Sequence, residues 1–224
     1  FGHKGFNQGN VKNTYGTGCC MLCNTGDKLV VSNNGLLTTV AYQIENQSPV
    51  FALEGSVAFA GASVQWLRDN LGLIKKSSDV EKLALEVKDN GDVYFVPAFS
   101  GLFSPHWDSS ARGTVVGLSR YSNKSHIARA VLESVAYQTD ELLRSLELDV
   151  GEKENKLLVD GGMVDNNLLM QFQSDISSLQ IQAPNIKEVT AFGAGLASYV
   201  YIKKTKLKDI PSTKSSQNWN TNMS

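Results

Sequence analysis

Short runs of β-branched, aromatic and other apolar residues recur along the chain between clusters of glycine, asparagine and aspartate. Apolar runs bounded by turn residues are typical of short β-strands. They lie at 19–22, 36–42, 50–53, 93–99 and 179–181. Because the first three follow one another with turn residues between them, we expect them to form an antiparallel meander.

Other segments repeat their apolar residues every three or four positions, which predicts helices with one buried face. Helices are expected at 57–71, 80–87, 125–146 and 190–202, and a further one begins after residue 165. The helix at 125–146 has the longest regular apolar face, so it should form core scaffolding. The last helix is rich in alanine and glycine, which allows it to pack closely against a neighbour.

The segment 157–167 changes abruptly from an apolar run to two glycines and then to an amphipathic helix. Its run Leu157-Leu158-Val159 predicts a buried strand, although such a run also occurs in buried helices. Gly161 and Gly162 allow a ligand to approach the main chain, and free N–H groups at the following helix start attract anions. The alternative is an ordinary tight turn between a strand and a helix. The expected helix cap is Asp165, Asn166 or Asn167.

A second glycine-flanked bend lies near the start of the chain, where Gly16 and Gly18 bracket Thr17. The threonine hydroxyl and the neighbouring N–H groups have the chemistry to bind a phosphate oxygen. A glycine-kinked strand with an outward-facing threonine explains the triplet equally well. Gly61-Ala62-Ser63 likewise leaves a narrow waist on a predicted helix, either for close helix packing or for a flat ligand beside the amide of Gln65.

The composition is that of an ordinary globular protein, and it excludes several functional classes. The 224 residues suffice for one large domain or two small ones, and the net charge of -1 gives no reason to expect nucleic acid or an anionic membrane as partner. No apolar run approaches the roughly 18 residues of a membrane span. Cys19, Cys20 and Cys23 are too few and too close together for a disulfide framework, which indicates a reducing, cytoplasmic location. A structural zinc site needs four ligands, which these cysteines and the scattered histidines do not supply, so no metal site is expected.

The order of the expected elements indicates an α/β fold with a mixed central sheet and helices on both faces. Residues 1–202 are expected to form this domain. Residues 203–224 become basic and then rich in serine, threonine and asparagine, which predicts a polar, disordered tail. The chain opens on Phe1 without an initiating methionine, which suggests a piece of a longer protein.

Several motifs, taken in order, resemble those of the glycerol kinase family, which belongs to the carbohydrate kinases whose two actin-like domains close over ATP. The motifs are Lys12-Asn13-Thr14-Tyr15-Gly16-Thr17-Gly18, Gly35-Leu36-Leu37-Thr38-Thr39, Ala52-Leu53-Glu54-Gly55-Ser56, Trp66-Leu67-Arg68-Asp69, Val96-Pro97-Ala98-Phe99-Ser100-Gly101-Leu102, Val159-Asp160-Gly161-Gly162 and Met170-Gln171-Phe172-Gln173-Ser174-Asp175. The resemblance extends from Phe1 to about Tyr199. It implies an actin-like (ribonuclease H-like) ATPase domain.

The resemblance also implies which residues bind ATP or ADP. Thr17, between Gly16 and Gly18, is similar to the family's contact to the β- and γ-phosphates. Two further residues, Gly61 and Gln65, match positions that line the family's nucleotide pocket. The adenosine-side contacts are matched by Gly162 and Asn166, with Gly161 beside them.

The reaction implied by the resemblance is transfer of the γ-phosphoryl group of ATP, bridged by Mg²⁺, to a primary hydroxyl of glycerol. The family's catalytic base is an aspartate in a Gly-Asp-Gln motif that precedes the matched region, so no catalytic residue is expected here and the chain alone should be inactive. Cys20 stands where the family usually has an aromatic residue that packs against glycerol. The full-length enzyme is expected to be a homo-oligomer. The alternatives are a non-catalytic actin-like module that binds a nucleotide or a protein, and a related polyol or pentulose kinase.

Overall fold

The chain folds into one large sheet, one small sheet and five α-helices within the residues that the computed structural model describes, which are 1–151, 155–186, 188–210 and 215–222. The strands are β1 (Val11–Tyr15), β2 (Cys19–Gly26), β3 (Leu37–Tyr42), β4 (Val50–Val57), β5 (Tyr94–Val96), β6 (Thr114–Val116), β7 (Lys156–Asp160), β8 (Gln180–Pro184) and β9 (Ser215–Trp219). The helices are α1 (Gly61–Asp69), α2 (Asp79–Ala84), α3 (Lys124–Val150), α4 (Asn167–Ser177) and α5 (Val189–Lys203). Short 3₁₀ turns cover Gly162–Asp165 and Leu207–Asp209.

The large sheet has seven strands in the order β3-β4-β2-β1-β7-β8-β9. Strand β1 pairs antiparallel with β2 and parallel with β7, and Thr14 on β1 lies opposite Asp160 on β7. Because neighbouring parallel strands end at the same edge of a sheet, the chain leaves β1 and β7 side by side. The mixed α/β architecture is therefore confirmed, and the two glycine-flanked bends are brought to one edge.

The expected meander is wrong in its order, because β4 lies between β2 and β3. Strand β4 carries buried residues such as Ala52 and Leu53, so it takes an inner position. Strand β3 is largely exposed, with Leu37 and Val40 open to solvent, and it forms one edge of the sheet. Edge strands need no partner on their outer side, so a strand with few buried residues is suited to this position.

Helix α3 is the core scaffold that the sequence predicts, and it continues one turn beyond residue 146 to Val150. It begins at Asn123, whose side chain accepts hydrogen bonds from the N–H groups of Ser125 and His126 at 2.9 and 3.3 Å. It ends at Gly151, whose φ of 79° suits a left-handed helix cap. Its apolar face packs with α4 against the sheet face that carries Tyr15.

Helix α5 lies over the opposite face of the sheet. A cavity on that side is lined both by Lys12 and Thr14, which alternate with the buried residues of β1, and by Gly193 of α5. A Cβ added to Gly193 would lie 2.7 Å from the nitrogen of Gly2, so this small residue allows the first residues of the chain to pack against the helix. Helices therefore cover both faces, as expected.

Two helix boundaries differ from the prediction. The helix predicted from residue 57 begins at Gly61, because β4 continues as far as Val57, which pairs with Cys19 of β2. Helix α2 ends at Ala84, about one turn earlier than predicted.

The prediction of a disordered tail is wrong for residues 215–219, which form β9 and pair antiparallel with β8. Trp219 is buried, and its indole N–H donates to Asn167 Oδ1 at 3.3 Å. The carbonyl of Asn220 accepts a hydrogen bond from Gln171 Nε2 at 2.8 Å. A polar composition concealed this strand, because one apolar side chain and main-chain pairing are enough to hold it. Residues 211–214 and 223–224 of the predicted tail lie outside the described residues.

Candidate functional site

The bend between β1 and β2 is held by main-chain hydrogen bonds to the start of α1. The N–H of Gly16 donates to the carbonyl of Gly18 at 2.9 Å, which closes the bend. The N–H of Ala60 donates to the carbonyl of Thr17 at 2.8 Å, and the N–H of Gly61 donates to the carbonyl of Gly16 at 3.0 Å. Both loop carbonyls are therefore occupied on the α1 side. The Thr17 side chain remains exposed, and within the described ranges no residue hydrogen-bonds its hydroxyl.

Close packing explains the glycine at position 61. A Cβ added there would lie 2.7 Å from the Gly16 carbonyl oxygen, which is closer than real Cβ contacts. The sequence allowed either close helix packing or room for a ligand at this narrow part of α1, and both are present. The contact that packs α1 against the bend also places Gln65, one turn further on, beside an open space.

The bend after β7 uses its two glycines differently. Gly161 has a φ of 98°, and a Cβ added to it would lie 2.3 Å from the Tyr15 carbonyl oxygen. Only glycine combines this backbone conformation with this contact. A Cβ added to Gly162 would meet nothing within 4 Å. Gly161 therefore locks the bend against β1, whereas Gly162 faces open space.

The start of α4 is already supplied with hydrogen-bond acceptors. Asn166 is the cap, and its Oδ1 accepts from the N–H of Leu169 at 2.8 Å. Glu81 of α2 accepts from the N–H of Leu168 at 2.9 Å through its Oε1. The expectation of free N–H groups for an anion is therefore wrong at this helix turn. A carboxylate also makes the α4 start a poor site for a phosphate.

One pocket of about 390 Å³ joins these segments. Six of the eight residues predicted to contact a nucleotide line it, and these are Gly16, Thr17, Gly61, Gln65, Gly162 and Asn166. The other two, Gly18 and Gly161, stand behind its wall and pack against main chain, since a Cβ on Gly18 would lie 2.3 Å from the Val57 carbonyl oxygen. Residues far apart in sequence thus share one hollow at the edge where β1 and β7 end.

A model of the C-terminal domain of the FGGY family of carbohydrate kinases matches residues 11–200. The chain belongs to this family. Its mixed sheet between two helical layers is the actin-like fold of FGGY kinases.

Curated relatives of this FGGY domain include a glycerol kinase of Brucella anthropi, 59% identical over 209 residues, which are 92% of this chain and 42% of the relative. A glycerol kinase of Chloroflexus aurantiacus is 61% identical over 193 residues, which are 86% of this chain and 39% of the relative. The chain thus spans about two fifths of the length of these relatives.

Among solved structures, a Plasmodium falciparum glycerol kinase with ADP is similar, with a TM-score of 0.91 and 40% sequence identity over 100% of this chain and 45% of that one. A xylulose kinase of Brucella ovis has a TM-score of 0.87 at 19% identity, over 99% of this chain and 45% of that one. The second likeness shows the fold alone, which polyol and pentulose kinases therefore share.

Sequence reasoning does not find the second wall of the pocket in this FGGY domain. Ser77, Ser78 and Glu81 line it from α2 and the turn before it. In the sequence, Ser78 and Asp79 indicate only the start of a helix. The hydrogen bond between Glu81 and the Leu168 N–H joins residues 87 positions apart, so no local sequence pattern indicates it.

Cys20, the predicted substrate contact, lies outside this pocket on the sheet face that carries Lys12. The Lys12 ammonium donates to the Cys20 carbonyl at 2.9 Å, and the thiol lies 3.9 Å from Glu54 Oε1. Burial raises the pKa of the Cys20 thiol, and the charge of Glu54 adds to this effect against the opposing charge of Lys12. The thiol therefore stays protonated and acts as a weak hydrogen-bond donor to Glu54.

Asp160 lies at the end of β7 on the same face and pairs with His3. Burial pushes the pKa of this carboxyl upward, but hydrogen bonds from His3 and Thr14 and the charge of Lys12 outweigh burial and hold the pKa below its usual value. Asp160 is therefore an ionised group that lines the cavity between the sheet and α5.

Within the described ranges, no helix has the length and hydropathy to cross a bilayer.

Proposed function

We propose that this chain is the ATP-binding part of an ATP-dependent glycerol kinase, which converts ATP and glycerol to ADP and glycerol 3-phosphate. Two lines of evidence support the proposal: curated relatives named glycerol kinase are 55% to 61% identical to the chain, and a glycerol kinase solved with ADP shares its fold. The substrate carried to this site would be the MgATP complex, since Mg²⁺ is usually held largely by substrate phosphates with one or two carboxylates.

The observation that carries the proposal is the convergence of the two glycine-flanked bends on one pocket. Its volume of about 390 Å³ lies within the range of small-molecule sites. Gly162 leaves space on one side, and the exposed Thr17 hydroxyl, which has no hydrogen-bond partner among the described residues, offers a donor on another. A purely structural turn would need neither the open space nor an exposed hydroxyl facing it.

The charges within the pocket indicate how a nucleotide would lie. Glu81 is an acceptor beside the α4 start, so it favours the hydroxyl or amino groups of a nucleoside and disfavours a phosphate. The bend that contains Thr17 has no carboxylate, and its Gly16 and Thr17 carbonyls are already occupied by N–H groups at the start of α1. We therefore place the phosphates at Thr17 and the nucleoside between Gln65, Asn166 and Glu81.

In this arrangement the chain contributes positioning and electrostatic stabilisation, which phosphoryl transfer requires more than covalent chemistry. Mg²⁺ bound with ATP supplies charge neutralisation at the phosphates. Thr17 donates to a phosphate oxygen, and the packed bend keeps that donor fixed during the reaction. The sequence contains no Gly-Asp-Gln motif, so the general base that the family resemblance implies is not among these residues. Absence of such a base costs about 10² to 10⁴ in rate, so we expect no measurable glycerol phosphorylation by the chain alone.

We also propose a cytoplasmic location and a homo-oligomeric full-length enzyme. Cys19, Cys20 and Cys23 lie within five positions of one another, which is not the spacing of a disulfide framework, and this supports a reducing compartment. Exposed apolar residues on the small sheet, among them Tyr94 and Val116, support a surface that contacts another subunit.

A related polyol or pentulose kinase is the second candidate, because a xylulose kinase has the same fold as this chain. A non-catalytic nucleotide-binding module would use the same pocket. Co-expression with the amino-terminal part of a glycerol kinase and, separately, with that of a xylulose kinase distinguishes them. Glycerol-dependent ADP production supports the first proposal, xylulose-dependent production the second, and ADP binding without either activity the third.

The nucleotide claim is tested by calorimetric titration of the 224-residue chain with MgADP. Thr17→Val removes a hydroxyl at nearly constant volume, and Asn166→Asp keeps the acceptor that caps α4 while removing the amide N–H. Each should weaken MgADP binding by about tenfold, which corresponds to one good hydrogen bond. Thr114→Val, at an exposed position of β6, is the control and should bind like the wild type. Equal affinity in all four proteins would refute the site.

A further inference from the structure

Tyr15 is the last residue of β1 and immediately precedes the bend that carries Thr17. Its side chain is completely buried, and its hydroxyl donates to Gln173 Oε1 at 3.0 Å. Burial raises the pKa of this phenol far above its usual value, so the hydroxyl is a permanent donor at any physiological pH. A buried hydroxyl at this position is an unusual choice, because phenylalanine would fill the same space without a polar group to satisfy.

Gln173 lies two turns into α4, the helix whose cap is Asn166. It is also completely buried, and its Nε2 has no hydrogen-bond partner among the described residues. The bond to Tyr15 therefore provides the contact that fixes the orientation of this amide. Since an unsatisfied buried polar group costs more than a hydrogen bond gains, both side chains strongly favour the arrangement in which they meet.

The two ends of this bond lead to the two bends of the pocket. Tyr15 connects directly to Gly16 and Thr17, and Gln173 belongs to the helix that follows Gly162 and Asn166. The main chain of Tyr15 also contacts Gly161, where an added Cβ would lie 2.3 Å from the Tyr15 carbonyl oxygen. Tyr15 thus contacts both bends and borders the pocket between them.

We infer that Tyr15 and Gln173 form a positioning pair that sets the distance between the Thr17 bend and the start of α4, and so the affinity of the pocket for a nucleotide. Tyr15 borders the pocket, but its side chain is completely buried and its hydroxyl donates to Gln173, so we expect the pair to act by positioning the bends and not by contact with the ligand. The inference rests on the proposed function, because it concerns the same pocket.

The test compares variants of the 224-residue chain by MgADP titration and by amide hydrogen exchange of residues 16–18, at a temperature well below unfolding. Tyr15→Phe removes only the hydroxyl. We expect MgADP to bind about fivefold more weakly, the effect of one hydrogen bond, and residues 16–18 to exchange faster. The double variant Tyr15→Phe with Gln173→Met should bind no more weakly than either single variant, because all three have lost the same connection.

Ser174→Ala is the matched control. Ser174 is the next residue of α4 and is equally buried. Its hydroxyl donates to the Leu179 carbonyl at 2.7 Å, and Leu179 does not line the pocket. Its removal should lower the free energy of unfolding without changing MgADP affinity or exchange at 16–18. Wild-type affinity in Tyr15→Phe, or an equal loss in Ser174→Ala, would overturn the inference alone. Failure of the wild type to bind MgADP would overturn the proposed function and this inference together.

Discussion

The carboxylate of Glu81 accepts a hydrogen bond from the main-chain N–H of Leu168 at 2.9 Å, and so joins α2 to the first turn of α4 across the pocket. This contact closes one wall of the site. It also gives the start of α4 a negative charge, which, in the proposed nucleotide site, would favour the nucleoside over the phosphates at this end of the pocket.

Glu81→Ala should therefore weaken MgADP binding and lower the free energy of unfolding by about 1 to 2 kcal/mol, because the Leu168 N–H loses its acceptor. Glu81→Gln keeps an oxygen at this position and should recover most of the stability. Calorimetric titration and urea unfolding measure the two effects. Equal stability of the alanine and glutamine variants would contradict the bond.

Gly162→Ala separates ligand space from packing. A methyl group there meets no protein atom within 4 Å, so the fold should be as stable as the wild type, but the group projects into the pocket. We expect MgADP affinity to fall at least about tenfold, because overlap with a ligand atom costs more than one hydrogen bond. Gly195→Ala, which is equally open but lies on α5, is the control and should leave affinity unchanged. Unchanged affinity in Gly162→Ala would show that the ligand lies elsewhere.

Trp219→Ala tests the anchoring of β9. The indole is buried in the main core, so its loss should lower the free energy of unfolding by about 3 kcal/mol. The exposed neighbour Asn218 provides the control, since Asn218→Ala should stay within about 0.5 kcal/mol of the wild type. Urea unfolding distinguishes them, and similar midpoints for both variants would mean that β9 adds no stability.

The hydrogen bonds of Asp149 are expected to make the stability of the fold sensitive to acid. Its carboxylate accepts hydrogen bonds from Ser32, from the N–H of Asn33 at 2.9 Å and from Asn34 Nδ2 at 2.7 Å, which fastens the β2–β3 connection to the end of α3. Burial raises the pKa of this carboxyl, but these hydrogen bonds outweigh burial and leave it below the usual value. The stabilisation is therefore complete above the unfolded-state pKa of about 3.9 and is lost as the pH falls through the lower folded-state value.

The Asp149→Asn variant should accordingly be less stable than the wild type at pH 6. When the pH falls from 6 to 3, however, its free energy of unfolding should decrease by less than that of the wild type. Urea midpoints at the two pH values measure the difference. Parallel loss in both proteins would assign the acid sensitivity to other carboxylates.

The glycine-flanked bends are predictable from sequence because an abrupt stop of an apolar run at glycine has few other structural meanings. Their convergence is not predictable from the same pattern, since it depends on the parallel pairing of Thr14 with Asp160, which are 146 positions apart. The family resemblance supplied that link, and the structure brings six of the predicted residues to one pocket.

The contact of Glu81 with α4 and the presence of β9 could not be predicted from the sequence, for a common physical reason. Glu81 acts through a main-chain N–H, and β9 pairs through its backbone, so the partners carry no side-chain pattern that marks them. The order of β2, β3 and β4 likewise depends on relative burial of whole strands, which neighbouring turn residues do not encode.

The place of β9 beside β8 bears on how the protein behaves at high concentration. Without β9, the outer N–H and C=O groups of β8 would be open along the residues that now face 215–219. Open strand edges recruit strands from other molecules. A chain shortened before residue 215 would thus expose a template for intermolecular pairing, and the short polar strand at the end of the sheet serves as protection against aggregation.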